Sequence, residues 1–378
     1  MDTTGYRERE DLSAVLDVLR PNIKFRSLIR ALPGNLNVLA QKHEWLDRTA
    51  KADTISLTAS GGAADWDSVN DVTDLPCTTA NCNKLRPGDV LRLPTGPEVV
   101  IVDHIDLAAQ TIDLVARGHG ATAGTAQGAV AFTAKIIGNT HSETGDAGAV
   151  RDMVMTERYN YTQIFSDVVS ASKTLRASKN VSLQDELDLA VVQSLKDQLA
   201  LLNKAMLFGY IDLNTTTKVS TMDGIRNIAT STCAGGSAVV TKVKLEEMVA
   251  TSTAAGGSGN FAFIAPLNQA ARINLLYEAN VDLVPDSRAV GLTTEVIKTA
   301  VGNVKLFPDT DMLTTEIILI DIDRINYGPL SNGKHSEAFY SEDATTPGSQ
   351  LVKRAIYGQY TIEVRQPAVH VIGSAFTA

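Results

Sequence analysis

Residues 181–209 read VSLQDELDLAVVQSLKDQLALLNKAMLFG, and this segment predicts one long amphipathic helix. Ser182 is a candidate N-cap of the helix and Gly209 is a candidate end. At 1.5 Å per residue the helix would be about 40 Å long, which is more typical of a scaffold than of a catalytic site. Its apolar side chains recur every three or four positions, the spacing of one helix face: Leu187, Val191, Leu195, Leu199, Leu202 and Met206.

The composition indicates a folded protein with a substantial core. Apolar residues make up 44% of the 378 residues, and this length suggests two or three domains or one large multi-lobed subunit. The formal net charge of −9 argues against a dedicated nucleic-acid binder, although one surface could still face packed DNA. Aromatic residues are only 5% of the chain, which favours extended sheets and loops over a ligand pocket lined with rings.

Cysteine use and the N-terminus favour a protein made inside the cell. Cys77, Cys82 and Cys233 form no CxxC pair and have no metal-ligand spacing, and their sparse, odd number indicates a reducing compartment. The N-terminal residues lack the basic and apolar regions of a secretory signal. Because no uncharged apolar run approaches the roughly 20 residues that cross a bilayer, we expect no membrane partner.

Residues 1–48 predict a charged N-terminal arm with short helical pieces. Residues 11–20 could form two or three helical turns, and Lys24, Arg26 and Arg30 give a short basic patch. Such a patch is most often the solvated face of an arm. The functional alternative is an arm that packs along a neighbouring subunit or faces a polyanion.

Residues 49–150 predict a β-rich excursion from the main body. Within about residues 85–140, glycine and proline turns separate four strand-sized runs: VLRLP, EVVIVDHID, TIDLVARG and AVAFTAKIIG. Short strands at regular spacing predict a small β-barrel or sandwich of about 60 residues.

The rest of the chain mixes strands and helices. Residues 161–172 predict a strand that enters the long helix, and residues 222–229 predict a turn followed by a short helix. A Ser/Thr/Gly/Ala-rich linker then surrounds a short helix at 242–251. Further on we expect strands at 261–265, 304–308 and 316–325, a helix at 267–278 capped by Asn268, and a strand-rich tail in which Tyr360, Ile362 and Val364 alternate.

Two patterns that could carry chemistry do not complete a site. The glycine-rich segment at 117–125 lacks the Lys-Ser/Thr pair of a phosphate-binding P-loop, so a cluster of turn glycines is favoured. Four carboxylates could suggest a divalent-cation site, but the calcium-loop pattern is absent: Asp309, Asp311, Asp321 and Asp323. For Asp321 and Asp323, the favoured interpretation is one solvated face of a strand or the exit of that strand.

Histidine and nucleophile patterns give no catalytic signal either. Cys233 lies in a Ser/Gly-rich stretch without an identifiable base, and no GxSxG motif occurs. The six histidines have no HxH or HxxxH spacing for zinc: His43, His104, His119, His141, His335 and His370. The sequence therefore predicts no catalytic residues, no cofactor-binding residues, no metal site and no enzymatic activity.

From residue 150 onward, the order of the segments resembles the major capsid proteins of tailed double-stranded-DNA bacteriophages. Residues 1–150 match only in layout, as an arm followed by an extended loop. The segments that carry the resemblance are YTQIFSDVVSAS (161–172), the long helix, MDGIRNIA (222–229), FAFIAP (261–266), VKLFPDTDM with IILIDIDRI, and the closing GQYTIEVRQPAVHVIG (358–373).

The resemblance implies the α+β fold of Hong Kong 97-type capsid proteins, with the long helix as the spine of a peripheral domain. The strand around Tyr360 would return beside this helix. The implied regions are an N-terminal arm (1–48), an extended loop (49–150) with a β-barrel-like insertion (about 85–140), a peripheral domain (151–224) with spine helix 181–209, an axial domain (225–335) and a return to the peripheral domain (336–378).

The resemblance also implies a structural role in the virion. The chain would assemble in the host cytoplasm into pentamers and hexamers of an icosahedral shell around the phage DNA. Its partners would be other copies of itself, a separate scaffolding protein, a portal, decoration proteins and packaged DNA contacted non-specifically on the inner face. Some members weld their shells by Lys–Asn isopeptide bonds, but nothing at Lys51, Lys84 or Lys135 predicts that chemistry.

Three alternatives stay open at this point. The chain could be another phage structural component, such as a tail or decoration protein. It could form the shell of a bacterial encapsulating compartment with the same fold. An enzyme with an α/β core would need a convergent polar cluster, which the sequence does not show.

Overall fold

The computed structural model describes most of the chain, in two compact units. One unit comprises Met1–Asp47 with Thr156–Ala378, and the other is Arg48–Met155. The predicted helix at 11–20, Lys24, Arg26, Lys51, Ser182 and His335 lie outside the described residues. These are 27–48, 54–57, 72–94, 98–119, 132–141, 143, 155–174, 186–277, 281–285, 293–299, 302–330 and 339–377.

The described residues form helices and many short strands. The helices are α1 (Ser27–Ala31), α2 (Thr79–Cys82), α3 (Glu186–Phe208), α4 (Ile225–Ile228), α5 (Lys242–Ala254) and α6 (Leu267–Leu276). The strands are β1 (Lys42–Arg48), β2 (Thr54–Leu57), β3 (Val72–Pro76), β4 (Asp89–Arg92), β5 (Val99–Asp106), β6 (Thr111–His119), β7 (Phe132–Asn139), β8 (Met155–Tyr161), β9 (Gln163–Ser172), β10 (Asp212–Leu213), β11 (Ser220–Thr221), β12 (Ser231–Val239), β13 (Phe261–Pro266), β14 (Val281–Pro285), β15 (Thr293–Lys298), β16 (Asn303–Asp309), β17 (Ile317–Asp321), β18 (Ile325–Pro329), β19 (Tyr340–Asp343), β20 (Leu351–Val364) and β21 (Val371–Thr377). No helix among these residues is long and apolar enough to span a membrane.

The unit Arg48–Met155 is built on one six-stranded sheet. The strand order is β2-β7-β4-β5-β6-β3, and each neighbouring pair is antiparallel. The four strands predicted from the sequence are confirmed as β4 to β7. Two earlier strands, β2 and β3, join them in the same sheet, so the sheet extends beyond the insertion predicted at about 85–140. The described strands form one sheet with β2 and β3 at its edges, in place of the predicted barrel or sandwich.

The larger unit contains a seven-stranded mixed sheet in the order β12-β21-β17-β13-β16-β15-β14. Every residue of β13 is buried, as the apolar run FAFIA predicts, and β13 runs parallel to β16 and antiparallel to β17. The C-terminal strand β21 pairs with β12 and β17, so it lies in this sheet rather than beside the spine helix.

The part of the predicted Ser/Thr/Gly/Ala-rich linker that precedes the helix at 242–251 is the strand β12, so the prediction is wrong there; residues 255–260 after the helix form no strand or helix. β12 runs parallel to β21, whose backbone supplies its hydrogen bonds. Small residues are required because a Cβ atom on Gly235 would lie 2.5 Å from the ring of Phe376. Cys233 lies in this strand rather than in a loop, and its side chain is only 5% exposed.

The predicted strand at 316–325 is also wrong, because two strands and a 3-10 turn occupy this segment. β17 ends at Asp321, whose carboxylate accepts the backbone N–H of Asp323 and so starts the 3-10 turn Ile322–Arg324. β17 belongs to the seven-stranded sheet, whereas β18 pairs with β20 in a different sheet.

The helix boundaries on the seven-stranded sheet differ from the predicted ones. α5 extends to Ala254, and Thr241 caps it by accepting the Lys244 N–H. Asn268 does not cap α6, because the N-cap residue is Pro266 and no side chain bonds there. Propensity patterns locate a helix better than its ends.

The spine helix α3 packs on a sheet whose central strand is β20. β20 pairs with β9 over ten residues on one side and with β18 and β19 on the other. The predicted returning strand around Tyr360 is β20, which lies in the sheet on which α3 packs and pairs with β9 through Tyr360 and Gln163. α3 ends before Gly209, whose N–H donates to Ala205 O at 2.8 Å.

The predicted buried stripe of α3 is correct at its ends and wrong in its middle. Leu202 and Met206 are buried, whereas Leu195 and Leu199 are only half-buried. Ser194 is buried instead because its hydroxyl donates to the Asp167 carboxylate on β9. Half-buried Val191 and buried Leu187 and Gln198 complete the stripe.

Candidate functional site

One buried amide ties the first described helix to the spine helix. Asn203 is fully buried, and its Oδ1 accepts the Leu28 N–H at 3.2 Å. Its Nδ2 donates to Asp309 Oδ2 at 3.1 Å and to Asp311 Oδ2 at 3.2 Å. Since Leu28 is itself fully buried in the core under α3, residues 27–32 are an integral part of the larger unit.

A second polar cluster fixes the paired strands β1 and β8. Asp47 is 7% exposed, and its Oδ2 lies 2.9 Å from Arg158 Nε in an ion pair. The same oxygen accepts Gln366 N at 3.0 Å. His43 Nε2 lies 2.9 Å from Glu363 Oε2, and Arg365 pairs with the same carboxylate. Burial alone would raise the pKa of Glu363, but hydrogen bonds from His43 and Arg365 outweigh it and lower that pKa.

Buried His370 joins the two segments that connect the seven-stranded sheet with the sheet around β20. These segments are 322–324, between β17 and β18, and 365–370, between β20 and β21. The Asp321 N–H donates to His370 Nδ1 at 3.3 Å, and His370 Nε2 donates to Arg365 O at 3.2 Å. The connections also bond directly, because Arg365 N donates to Arg324 O at 2.9 Å. Burial lowers the pKa of His370 to about 4, so the imidazole is neutral at pH 7.

The four candidate carboxylates have structural partners. Asp309 and Asp321 are fully buried, so the predicted solvated position is wrong for Asp321, whereas Asp323 is exposed as predicted. Asp321 accepts Ser258 N at 2.7 Å and Ser258 Oγ at 2.6 Å, while Asp323 accepts Asn260 Nδ2 at 2.9 Å. Sequence reasoning missed this arrangement because Ser258 lies more than sixty residues earlier. No group of three metal-ligating side chains occurs within the described residues.

The other candidates are spread over both units. His104 is exposed and lies 3.7 Å from an Asp113 oxygen. Cys77 and Cys82 are buried in the unit Arg48–Met155, and Cys233 in the other. The side chains of segment 117–125 lie outside the described set. Among the described residues, the candidate nucleophiles and bases are not brought together.

An open groove lies between the spine helix, β9 and the β10–β11 hairpin. Its volume is about 770 Å³, and its lining includes Gln163, Ile164, Leu201, Lys204, Phe208 and Tyr210. Tyr210 is 70% exposed, Ile164 49% and Leu201 47%. Contiguous exposed apolar side chains on a soluble protein mark a surface that contacts another molecule. The sequence signal for this surface was the apolar residues that fall outside the buried stripe of α3.

The polar contacts among the described residues hold distant segments of the chain together, and an open groove lies beside α3. The family model of the SU10 major capsid protein matches residues 1–377. The chain belongs to this family. The predicted resemblance to phage major capsid proteins is thus confirmed, and the capsid protein is a structural component of the virion that assembles with copies of itself.

One solved capsid structure shares the α+β fold of this chain, and two others are less similar. The capsid of a native GTA particle has a TM-score of 0.52 and 11% sequence identity, covering 99% of this chain and 97% of that chain. A Mycobacterium phage Bobi chain has a TM-score of 0.48 and 9% identity, covering 100% and 97%. The holo-SrpI encapsulin of Synechococcus elongatus PCC 7942 has a TM-score of 0.46 and 12% identity, covering 60% and 78%. No curated protein matches the capsid protein in sequence.

Proposed function

We propose that this capsid protein builds the pentamers and hexamers of an icosahedral shell that encloses phage double-stranded DNA. The observation that carries the proposal is the match of a major capsid protein family to residues 1–377. The fold likeness to a native GTA particle capsid over nearly the whole chain supports it. The role is mechanical, and the proposal assigns no catalysis to the chain.

The proposed layout of the shell subunit follows the sheets. Residues 1–48 are the N-terminal arm and 49–150 the extended loop. The peripheral domain contains α3 with the sheet of β9 and β20, and the axial domain contains the seven-stranded sheet. We assign β21 to the axial domain because it pairs with β12 and β17.

We further propose that the groove beside the spine helix contacts another copy of the capsid protein. Its exposed Tyr210, Ile164 and Leu201 offer apolar area that a neighbouring subunit would bury. A separate scaffolding protein, a portal and decoration proteins complete the proposed assembly in the host cytoplasm. Packaged DNA touches the inner face non-specifically through lysine and arginine side chains.

Expression of the full chain, alone and with the scaffolding protein, tests the shell by cryo-electron microscopy. We expect closed particles with pentamers and hexamers. Tubes or rings would favour a tail component, and tailless DNA-free particles that hold an enzyme would favour an encapsulating compartment. A stable monomer under every assembly condition would contradict the proposal.

A pair of variants tests the groove. Leu201→Ser should reduce the yield of closed particles several-fold, because it removes exposed apolar area from the groove. Val243→Ser is the matched control, since Val243 is 72% exposed on α5 and does not line the groove. Circular dichroism should show that both variants fold. Equal particle yields from both would remove the groove from the assembly contacts.

A further inference from the structure

Cys77 and Cys82 form a pair of buried thiols in the unit Arg48–Met155. Cys77 directly follows β3 and Cys82 is the last residue of α2, so four residues separate them. Their side chains are 5% and 1% exposed, and neither is in a disulfide. The shell function does not account for this pair.

The helix α2 turns the second thiol back toward the first. Cys82 N donates to Thr78 O at 2.8 Å, which closes one helical turn, and Cys82 Sγ donates to Cys77 O at 3.4 Å. Cys77 Sγ donates to Thr78 O at 3.6 Å, the same carbonyl oxygen that accepts Cys82 N. Because Cys82 Sγ lies 3.4 Å from the backbone oxygen of Cys77, the two cysteines are direct neighbours, and a local opening of α2 lets their sulfur atoms meet.

We propose that Cys77 and Cys82 are a redox site that closes to an intrachain disulfide when a low-molecular-weight disulfide, such as glutathione disulfide, is in excess. One cysteine thiolate attacks a sulfur of the small disulfide and releases the first small thiol. The other cysteine then attacks the protein sulfur of this mixed disulfide and releases the second small thiol. One protein S–S bond forms, one small-molecule S–S bond breaks, and the two thiol protons leave on the released thiols.

The buried surroundings make this exchange slow. Burial and then the contact with Cys82 raise the pKa of the Cys77 thiol to about 12, so roughly one thiol in 10⁵ is ionised at pH 7. Since only the thiolate attacks, the exchange takes place when α2 opens. A four-residue helix is a weak structure on its own, so this opening is local. The pair stays reduced in a reducing cytoplasm and oxidises after the particle leaves it.

Cys233 provides an internal control for the experiment. It is also buried, and burial raises its pKa, but it lies on β12 in the other unit. Trypsin leaves Cys77 and Cys82 together in the peptide 52–84 and places Cys233 in the peptide 227–242. A single digest therefore reports the pair and the control separately.

The full-length protein is incubated at pH 8 with glutathione disulfide, without urea and in a low concentration of urea that permits local opening. The reaction is stopped with acid, and the unfolded protein is alkylated with N-ethylmaleimide and digested. We expect the peptide 52–84 to carry no alkyl group and to be lighter by two hydrogen atoms, while the peptide 227–242 is alkylated. The urea sample should react faster.

Two variants complete the test, with circular dichroism as the check on folding. Cys82→Ser should leave Cys77 alkylated or as a glutathione adduct, and Cys233→Ser should leave the disulfide unchanged. Any of three results in the wild-type protein would overturn the proposal. These are alkylation of both Cys77 and Cys82 after oxidation in urea, a glutathione adduct on each of them, and a disulfide that joins two chains.

Discussion

Asn203 on the spine helix accepts the backbone N–H of Leu28 at 3.2 Å, across 175 positions of sequence. The same amide donates to the carboxylates of Asp309 and Asp311. Three segments that are distant in the sequence therefore meet at one fully buried side chain. Buried polar groups with complete hydrogen bonding specify one arrangement of the elements around them.

Asn203→Asp should destabilise the larger unit while keeping the shape of the side chain. The new carboxylate could still accept from Leu28, but it could not donate to Asp309 or Asp311 and would place a third negative charge beside them. A buried, unpaired charge of this kind costs about 2–5 kcal/mol in the free energy of unfolding. Urea denaturation measures the loss.

Asn214→Asp is the control for this change. Asn214 is exposed, and its Oδ1 accepts Thr216 N and Thr217 N at 3.0 Å, which a carboxylate can also do. We expect its free energy of unfolding to stay within about 0.5 kcal/mol of the wild type. If the two variants lost the same free energy of unfolding, the hydrogen bonds of Asn203 to Leu28, Asp309 and Asp311 would not stabilise the larger unit.

Leu202→Ala and Leu201→Ala form a matched pair on the spine helix. Leu202 is 1% exposed in the core, whereas Leu201 is 47% exposed. We expect Leu202→Ala to cost about 2–4 kcal/mol in the free energy of unfolding and Leu201→Ala less than about 1 kcal/mol. Thermal and chemical unfolding measure both. Equal losses of unfolding free energy in the two variants would contradict the packing of α3 through the side that carries Leu202.

The half-burial of Leu195 and Leu199 changes what the periodicity of the spine helix predicts. From the sequence alone, a charged residue at either position should abolish folding or assembly. Because a long charged side chain can reach solvent from a half-buried position, we now expect a smaller effect there than at Leu202. Particle yields of Leu199→Lys and Leu202→Lys compare the two; an equal loss would restore the original prediction.

Helices and strands whose own residues carry a clear hydrophobic pattern could be predicted from the sequence. The spine helix and the strands β9, β13 and β20 each carry their own periodicity, so their existence and type were predictable. The strand β12 was not, because its small residues look like a linker until β21, more than a hundred residues later, supplies the hydrogen bonds.

The polar contacts of the candidate site were hidden from the sequence for the same reason. Ser194 interrupts the apolar stripe of the spine helix, and only its contact with Asp167 explains why it is buried. Asp321 looked solvated until Ser258 was placed beside it. The groove lining likewise joins α3 to β9 and a hairpin, and no local pattern contains that combination.

His370 should make the stability of the capsid protein depend on pH. Its pKa in the folded protein is about 4, below the ordinary value of 6.5, so the unfolded chain binds a proton first as the pH falls. The stabilising effect is complete above about pH 7 and is lost as the pH falls from about 6.5 to about 4. It amounts to roughly 3 kcal/mol.

Unfolding free energies at several pH values between 7.5 and 4.5 test this dependence. Carboxylates titrate in all variants, so the readout is the difference in slope between each variant and the wild type. His370→Gln should reduce the dependence of the unfolding free energy on pH, whatever the overall stability of the variant, because the buried imidazole with the lowered pKa is gone. Val243→Ser should keep the wild-type slope, since Val243 is exposed and carries no titratable group. An unchanged slope in His370→Gln would assign the acid sensitivity to other groups.

Gly328→Ala should detach the segment after α1 from β18. A Cβ atom at position 328 would overlap the carbonyl oxygen of Leu36, whose own N–H donates to Tyr327 O at 3.2 Å. Backbone cannot yield as a flexible side chain can, so residues 34–38 must move away. Limited proteolysis should cut the variant in this segment at least several-fold faster than the wild type. Gly138→Ala is the control, because a Cβ atom there meets nothing within 4 Å. Equal cleavage rates in the two variants would mean that β18 does not hold the N-terminal segment in place.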